Sequence, residues 1–200
     1  MASRARERIL AAAIRRFSDD GVLATSVDRV IVEAEVAPMT LYRHFGGKDE
    51  LVTASLERWS DQWLGRLRDE VDGGRPEARF AGLWDALEKW FASEDFRGSY
   101  VANAATELRG RPGHPAHLAI AAHRRRTREL LTDAVRAAGA SDPERLGLQL
   151  QLLLDGAVTV AVVDRQPGVA AGARAVAAAM LAGSQGAERE AARVRGRAGD

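Results

Sequence analysis

The chain has 200 residues, of which 46% are hydrophobic and 28% are charged, and this length allows one domain or two small ones around a substantial core. It contains no cysteine, which excludes disulfides and thiolate metal sites and fits a reducing cytoplasm. Its formal net charge is only +1, so bulk charge does not indicate a nucleic-acid-binding protein, and such a function has to rest on local placement of charge.

Two further observations concern membranes. Residues 3–8 alternate arginine with other residues and do not form the apolar core of a signal peptide. The longest apolar run, Leu152 to Val163, is interrupted by Asp155 and is too short to span a bilayer. We therefore expect a soluble cytoplasmic protein without a membrane partner.

The first predicted element is a helix that Ser3 caps and that ends near Asp20, just before Gly21. Its buried stripe recurs at helical spacing and comprises Leu10, Ala13, Ile14 and Phe17. Three arginines lie at its start, namely Arg4, Arg6 and Arg8. One interpretation of these arginines is a solvated helix end.

Two short helices are predicted next. Ser26 caps a helix that runs to about Ala34, and a turn from Glu35 to Ala37 leads to Pro38. The fixed φ of proline suits the first turn of a third helix. Two short helices joined by three or four residues form a helix-turn-helix, whose second helix enters the major groove of DNA.

The stretch from Thr40 to Leu51 organises the rest of the chain. In the third helix, Leu41 and Phe45 stand four residues apart and are expected to face the core. Gly46 and Gly47 end this helix, and Lys48 opens the next one with Gly47 as its N-cap. The ammonium of Lys48 and the free backbone N–H groups of this helix start are expected to point the same way, which suits a DNA phosphate.

This part of the chain resembles the N-terminal signature of the TetR family of bacterial transcriptional regulators. The matching residues are Ser26, Val30, Ala34, Val36, Thr40, Leu41, Tyr42, His44, Phe45, Lys48 and Leu51. Two positions depart from the signature, because Glu35 stands where the family usually has glycine and Ile31 where it favours alanine. A left-handed φ at Glu35 costs roughly 1 kcal/mol, and Ile31 predicts a wider crossing of the two helices.

The resemblance implies that the outer side of the third helix contacts DNA, together with the arginines of the first helix unless these are only solvated. The predicted DNA-binding residues are Ser26, Pro38, Met39, Thr40, Tyr42, Arg43, His44 and Lys48. Arg43 is the expected base reader, because a guanidinium binds guanine bidentately in the major groove. Tyr42 and His44 can donate to phosphates, although structural support is an equal alternative for His44.

Lys48 is predicted to open a long helix that continues to Asp72, and a break from Gly73 to Pro76 separates it from an aromatic-rich helix. All four tryptophans fall between Trp59 and Trp90. They form either ordinary core or the wall of a ligand cavity, and the resemblance favours a cavity because the family generally binds a small effector. The predicted effector-binding residues are Trp59, Trp63, Trp84, Phe91, Tyr100, His123 and Asp155. Such a lining suits an apolar or planar effector, while for His123 a satisfied core position is the stronger alternative.

A further helix is predicted from about Ala116 to Ala138. Asp142 and Pro143 then start a helix, predicted over 142–165, that is apolar on nearly all sides and must therefore be buried all round. We expect one face to pack on its own domain and the other on a second copy. With the Ala-rich helix predicted over 168–182, it resembles the family's four-helix dimer interface.

The predicted fold is all-α with about nine helices, of which three carry the helix-turn-helix and six form the body. The predicted domains are a DNA-binding domain at 1–48, an effector-binding and dimerisation domain at 49–183 that the helix at 48–72 connects to it, and a mobile tail at 184–200. The predicted function is a ligand-responsive transcriptional regulator, and more specifically a homodimeric repressor that binds a palindromic DNA operator and is released by its effector.

Two other classes stay open. One is a small-molecule-binding helical protein that has lost operator recognition, which the departures at Ile31 and Glu35 would explain. The other is an enzyme that uses His123 and Asp155 as a general acid–base pair. No nucleophile arrangement or Gly-rich phosphate loop accompanies this pair, so we expect no catalytic residue, no enzyme activity and no cofactor.

The histidines give the one further candidate for a metal site. His114, His117 and His123 are spaced by three and six residues. They would need a carboxylate placed by the fold in order to hold zinc, so no metal site is expected.

Overall fold

The computed structural model of the protein describes residues 4–71, 76–166 and 168–197, with side chains within 4–70, 80–166 and 168–185. Within these ranges every regular element is an α-helix, which confirms the predicted all-α fold. The nine helices are α1 (Arg4–Asp20), α2 (Val27–Ala34), α3 (Pro38–His44), α4 (Lys48–Val71), α5 (Pro76–Phe91), α6 (Tyr100–Leu108), α7 (Ala116–Ala137), α8 (Pro143–Val163) and α9 (Val169–Arg197).

The helices group into two compact units. Unit 1 comprises Met1–Leu64 with Arg97–Arg125, and unit 2 comprises Gly65–Phe96 with Arg126–Asp200. The predicted domain boundary at residue 48 stays a prediction. In the structure, the first part of α4 and all of α6 group with α1–α3. The reason is that α4 continues the apolar pattern of the helix-turn-helix, since Leu51 and Leu56 are buried in the same core.

Unit 1 is built around α1, which packs against α2, α3 and α6. The predicted stripe of α1 is buried at Leu10, Ala13 and Phe17, whereas Ile14 is only half-buried. Ile9, which the predicted stripe left out, is fully buried as well. The buried face of α1 is therefore wider than sequence spacing indicated, because three elements cover it.

In unit 2, α9 packs against both α5 and α8. As predicted, Asp142 caps α8, accepting a hydrogen bond from the backbone N–H of Arg145 at 3.1 Å, and Pro143 occupies the first turn. At Gly147 the helix lies against Thr132 of α7, whose Cα would be 3.0 Å from an added Cβ. This contact leaves no room for a side chain at that position.

The last helix is longer than predicted. Sequence reasoning ended it near Ala182 and expected a mobile tail after Gly183, but the helical backbone of α9 continues to Arg197. Ser141 donates from its backbone N–H to Ser184 Oγ at 3.0 Å, and the Gln185 side chain donates to the carbonyl of Ala138 at 2.6 Å. These contacts hold α9 beyond Gly183, and the Ala, Gln and Glu residues that follow favour helix.

In the part of the chain that the structure describes, α8 is the one helix long and apolar enough to cross a membrane by length and composition. Its mean hydropathy is 1.7, and 44% of that stretch is buried. The apolar run from Leu152 to Val163 is shorter than α8 itself, which begins at Pro143, as the predicted range 142–165 anticipated. A core helix of a soluble protein meets the same criterion.

Candidate nucleic-acid interface

The helix-turn-helix forms for local reasons that the sequence displays. Ser26 Oγ accepts the backbone N–H of Arg29 at 3.3 Å and so caps α2. Glu35 ends α2 in the left-handed region, with φ 51° and ψ 49°. The carbonyl of Glu35 accepts a hydrogen bond from Arg8 Nη2 at 3.2 Å, which ties this turn to α1. Glu35 therefore adopts the left-handed conformation on which the cost considered from the sequence depends.

The third helix presents two different faces. Leu41 and Phe45 are buried, as predicted, and anchor α3 in the core. Met39 is 77% exposed and Tyr42 is 49% exposed, and Arg43 is exposed as well. Of the other predicted contact residues, Ser26 and Pro38 are exposed, while Thr40, His44 and Lys48 are half-buried.

The junction of α3 and α4 is held by side chains around the two glycines. Arg6 lies over the ring of Phe45, with its guanidinium carbon 5.4 Å from the ring centroid. Glu50 accepts the backbone N–H of Gly46 at 2.7 Å and so reaches back over the first turn of α4. The Leu51 N–H donates to the carbonyl of Gly47 at 3.1 Å, which makes Gly47 the N-cap position as predicted.

Lys48 lies where the sequence predicts, at the first position of α4, but its ammonium has a partner within the protein. Its Nζ donates to the carbonyl of Leu23 at 3.0 Å. Burial and the nearby Arg111 lower the pKa of Lys48, and the neighbouring Asp49 and Glu107 oppose this shift. A role of Lys48 in phosphate binding stays a prediction.

Ion pairs connect α1 to α2. Glu33 accepts hydrogen bonds from Arg15 Nε at 2.7 Å and from Arg16 Nε. Burial raises the pKa of Glu33, but the hydrogen bonds and positive charges of the two arginines outweigh it, so the pKa lies below its ordinary value. Asp20 pairs with Arg16 and Arg29 beside them. These pairs fix α2 on α1.

Four of the predicted effector residues lie together in unit 1. Trp59 stacks on Trp63 with ring centroids 6.1 Å apart, meets Tyr100 edge-on at 6.2 Å, and lies 5.6 Å from the ring of His123. His123 is 8% exposed, and its Nδ1 lies 2.8 Å from Ser60 Oγ. The hydrogen bond to Ser60 is what a satisfied core histidine requires.

Tyr100 completes this cluster from α6. Its hydroxyl lies 2.8 Å from Ser55 Oγ, and Ser55 also donates to the carbonyl of Val52. Burial raises the pKa of Tyr100, so the phenol stays neutral. The cluster is thus a packed aromatic group with satisfied polar atoms.

The other three predicted effector residues lie in unit 2. Trp84 is 1% exposed and meets Phe80 edge-on at 6.5 Å, and its indole N–H has no acceptor among the described residues. Phe91 is half-buried, and its ring centroid lies 5.1 Å from that of Phe96. Asp155 is half-buried on α8, where its carbonyl accepts the hydroxyl of Thr159.

Two contacts to the segments that flank α2 and α3 were missed by sequence reasoning. The carboxylate of Glu107 accepts the backbone N–H of Leu23 at 2.9 Å. His114 is 8% exposed, and its Nε2 lies 3.2 Å from Asp49 Oδ1. The Nδ1 of His114 accepts the N–H of Ala116, so Nε2 carries the proton that faces Asp49. His114 was considered from the sequence only as a zinc ligand, and no local pattern indicates the contact that either residue makes.

Unit 2 carries an apolar outer face. The large hydrophobic residues exposed on α8 and α9 are Leu148, Leu152, Val162, Val163 and Val176. A groove of about 480 Å³ lies between the two helices, and its lining includes Leu152, Val160, Val169 and Val176. At Gly156 and Gly172, which also line the groove, a side chain would meet nothing within 4 Å.

Known proteins are similar to this chain in both sequence and fold. The sequence model described as bacterial regulatory proteins of the tetR family matches residues 9–54. The crystal structure of SCO4454, a TetR-family transcriptional regulator from Streptomyces coelicolor, is similar to this chain with a TM-score of 0.83 and 28% identity, over 90% of this chain and 96% of that one. Residues 9–54 match the TetR family of bacterial regulatory proteins, and the chain has the fold of a TetR-family regulator.

Curated relatives agree over the N-terminal part. UidR of Escherichia coli (strain K12), an HTH-type transcriptional regulator, is 34% identical over 68 residues, which are 34% of this chain and 35% of UidR. KstR2 of Mycobacterium tuberculosis, an HTH-type transcriptional repressor, is 34% identical over 82 residues, which are 40% of this chain and 41% of KstR2. The chain thus spans about a third to two fifths of the length of these relatives.

The family match indicates that α1–α3 correspond to a DNA-binding domain. TetR-family proteins combine an N-terminal helix-turn-helix DNA-binding domain with a helical C-terminal body. The relatives are transcriptional regulators and not enzymes. Among the side chains that the structure describes, no three His, Asp or Glu residues are grouped so that they could hold a metal ion.

Proposed function

We propose that this protein is a ligand-responsive transcriptional repressor that binds a near-palindromic operator as a homodimer in the cytoplasm. The observation that carries the proposal is the two-sided α3, which is anchored by Leu41 and Phe45 and offers Met39, Tyr42 and Arg43 to solvent. An exposed methionine, phenol and guanidinium on one short helix have no role in the core. They supply an apolar contact for a thymine methyl, a phosphate donor and a guanine reader.

The homodimer supplies the second recognition helix. Two copies present their α3 helices about 34 Å apart, so that they read successive major grooves of the operator. We place the interface on the outer face of α8 and α9, within the predicted 142–165 and 168–182. Leu152 is 62% exposed and Val163 is 71% exposed there, and a second copy that fills the groove between these helices buries them.

In the proposed mechanism, effector binding releases the repressor from its operator. The proposed effector is a small apolar or aromatic molecule. Its candidate contacts are either Trp59, Trp63, Tyr100 and His123, which lie in unit 1, or Trp84, Phe91 and Asp155, which lie in unit 2. Trp84 supports this proposal because a buried N–H without an acceptor costs about 1–3 kcal/mol, and an acceptor on a bound molecule relieves that cost. The effector shifts the separation of the two α4 helices by its difference in affinity for the two states.

The test measures operator binding, subunit number and ligand response on one sample. Fluorescence anisotropy with the DNA upstream of the protein's own gene should show salt-sensitive specific binding by a dimer, whose mass light scattering reports. Candidate effectors should quench tryptophan fluorescence and raise the Kd for that DNA. A folded dimer that binds ligands but shows no specific DNA binding would overturn the proposal and favour a ligand-binding protein without operator recognition.

A further inference from the structure

The turn between α6 and α7 is docked on the first turn of α4. His114, near the end of this turn, is buried, and its Nε2 donates to Asp49 Oδ1 at 3.2 Å. Asp49 is the second residue of α4. The Nδ1 of the same histidine accepts the N–H of Ala116, the first residue of α7, at 3.2 Å. The turn is therefore fixed beside the start of α4, and all of these residues belong to unit 1.

Arg111 begins this turn, and its backbone is held in place. The carbonyl of Arg111 accepts the N–H of His114 at 3.0 Å, which closes a β-turn with Pro112 at its second position. His117 Nε2 donates to the same carbonyl at 2.9 Å. The side chain of Arg111 is exposed, and among the described residues its guanidinium has neither a hydrogen-bond acceptor nor an ion-pair partner. A fixed backbone thus presents an arginine to solvent.

The guanidinium of Arg111 lies close enough to the Lys48 ammonium to act on it electrostatically. Burial and then the positive charge of Arg111 lower the pKa of Lys48. The Lys48 Nζ donates to the carbonyl of Leu23 at 3.0 Å, which uses one of the three N–H donors of an ammonium and leaves two for an anion. Two cations with donors to spare therefore stand together where α4 begins.

The carboxylates near these two cations have other partners. Asp49 accepts the hydrogen bond from His114, and Glu107 Oε2 accepts the backbone N–H of Leu23 at 2.9 Å. The Glu107 carboxylate is also confined, because a Cβ at Gly21 would lie 2.9 Å from each of its oxygens. Both carboxylates moderate the repulsion between the cations, but among the described side chains neither forms an ion pair with the guanidinium.

The start of α4 follows directly on the recognition helix. α3 ends at His44, and α4 begins at Lys48. A duplex whose major groove receives α3 brings its flanking phosphates to this helix start, where the first backbone N–H groups also point outward. An arginine held beside that point can reach the same stretch of DNA backbone.

We propose that Arg111 is a second phosphate contact at the start of α4, which binds the operator backbone beside Lys48 and extends the DNA-binding surface beyond the helix-turn-helix. This inference rests on the proposed function, since it adds a residue to the operator contact. The planar fork of a guanidinium matches the oxygens of a phosphate. The family match ends at residue 54, so no motif assigns Arg111 to DNA binding.

Salt dependence counts the phosphates that a protein neutralises. Each contact contributes about 0.9 to the slope of log K against log salt, so the loss of one contact per subunit makes the slope of a dimer less steep by about 1.8. Between about 50 and 200 mM salt, this difference narrows the ratio of two Kd values about twelvefold. A phosphate contact carries no sequence information, so its loss weakens binding to all duplexes alike.

The experiment uses the full-length protein and a duplex that it selects from random-sequence DNA. Arg111→Met should raise the Kd for this duplex about tenfold or more at about 50 mM salt, and the ratio to the wild-type Kd should fall about twelvefold by about 200 mM. The preference for the selected duplex over a scrambled one should stay at the wild-type level. The Tm should also stay unchanged, because the contacts that hold the turn use the carbonyl of Arg111 and not its side chain.

Three other variants make the comparison specific. Arg111→Lys keeps the positive charge and should keep the wild-type slope. Lys48→Met removes the neighbouring cation and should also make the slope less steep by about 1.8. Arg66→Met removes an exposed arginine from unit 2 and should keep the wild-type Kd and slope. Because Arg66→Met and Arg111→Met change the net charge equally, a difference between them identifies a local contact.

The outcomes separate this inference from the proposed function. If the wild type selects a duplex but the slope of Arg111→Met equals that of the wild type, Arg111 does not contact phosphate and the inference fails alone. An equal loss of slope in Arg66→Met would overturn it as well, because bulk charge would then explain the effect. If the wild type selects no duplex, the proposed function fails and the Arg111 contact falls with it.

Discussion

Glu35→Gly should stabilise the protein, because Glu35 is a non-glycine residue in the left-handed region at φ 51°. That conformation costs a side-chain-bearing residue about 1–2 kcal/mol. Glycine removes this cost but adds about 0.5–1 kcal/mol of backbone entropy to the unfolded chain. The net gain in the free energy of unfolding is therefore about 0.5–1 kcal/mol, or about 1–4 °C in Tm for a chain of this length.

The structure isolates this backbone effect from side-chain effects. The Glu35 side chain is exposed, and the hydrogen bonds at this residue use its backbone N–H and its carbonyl, the latter with Arg8. Both bonds persist in Glu35→Gly. Glu35→Ala removes the same side chain but keeps the Cβ, so this control should bring no gain.

Urea unfolding followed by circular dichroism measures the difference at an unchanged m-value. Operator affinity should stay at the wild-type level, because glycine keeps the same φ and ψ and leaves α3 in place. Equal stability of Glu35→Gly and wild type, or an equal gain in Glu35→Ala, would show that strain at this turn is not the cause.

Three other changes have defined outcomes. Arg43→Ala should reduce discrimination at one base pair by about 1–3 kcal/mol, as binding to operator variants reports, and an equal loss on all sequences would contradict base reading. Leu152→Lys should yield folded monomers with weakened operator binding, and dimers by light scattering would exclude this face as the interface. Glu33→Gln should destabilise at neutral pH. Arg15 and Arg16 lower the pKa of Glu33 from its ordinary value of 4.5. The stabilisation that the Glu33 carboxylate gives the folded protein is therefore present above pH 4.5 and is lost as the pH falls through the lowered pKa. The free energies of unfolding of the wild type and Glu33→Gln should then become equal. A difference that persists at acid pH would show that the ion pairs are not the cause.

Short-range features of the fold could be predicted from the sequence. The Ser26 cap, the buried pair Leu41 and Phe45, and the start of α8 at Asp142 and Pro143 each depend on residues within one or two helical turns. Their physical causes are local hydrogen bonds and helical periodicity, which a sequence displays directly. The family resemblance rests on the same stretch, which is why it could be stated from the sequence and later confirmed.

Features that depend on distant residues could not be predicted. Glu107 meets Leu23 across 84 positions, and nothing in the local sequence of either residue indicates the contact. The carbonyl that accepts the Lys48 ammonium was missed for the same reason. Helix geometry gives the direction in which a side chain leaves the backbone, but it does not give the atom that the end of a long side chain meets. The end of α9 was misplaced because Gly183 was read as a stop, whereas contacts from Ser141 extend the helix.

The carboxylate of Glu107 occupies the space beside Gly21 that a side chain at position 21 would need, and this has a consequence for protein engineering. Chimeric regulators are made by grafting the DNA-reading segment of one homologue onto the sensory part of another. A graft that brings any larger residue to position 21 collides with the carboxylate of Glu107, and one that replaces Glu107 leaves the amide of Leu23 without its acceptor. Donor and recipient should therefore be matched at both positions, and swaps that transfer them together should retain operator binding more often than swaps that separate them.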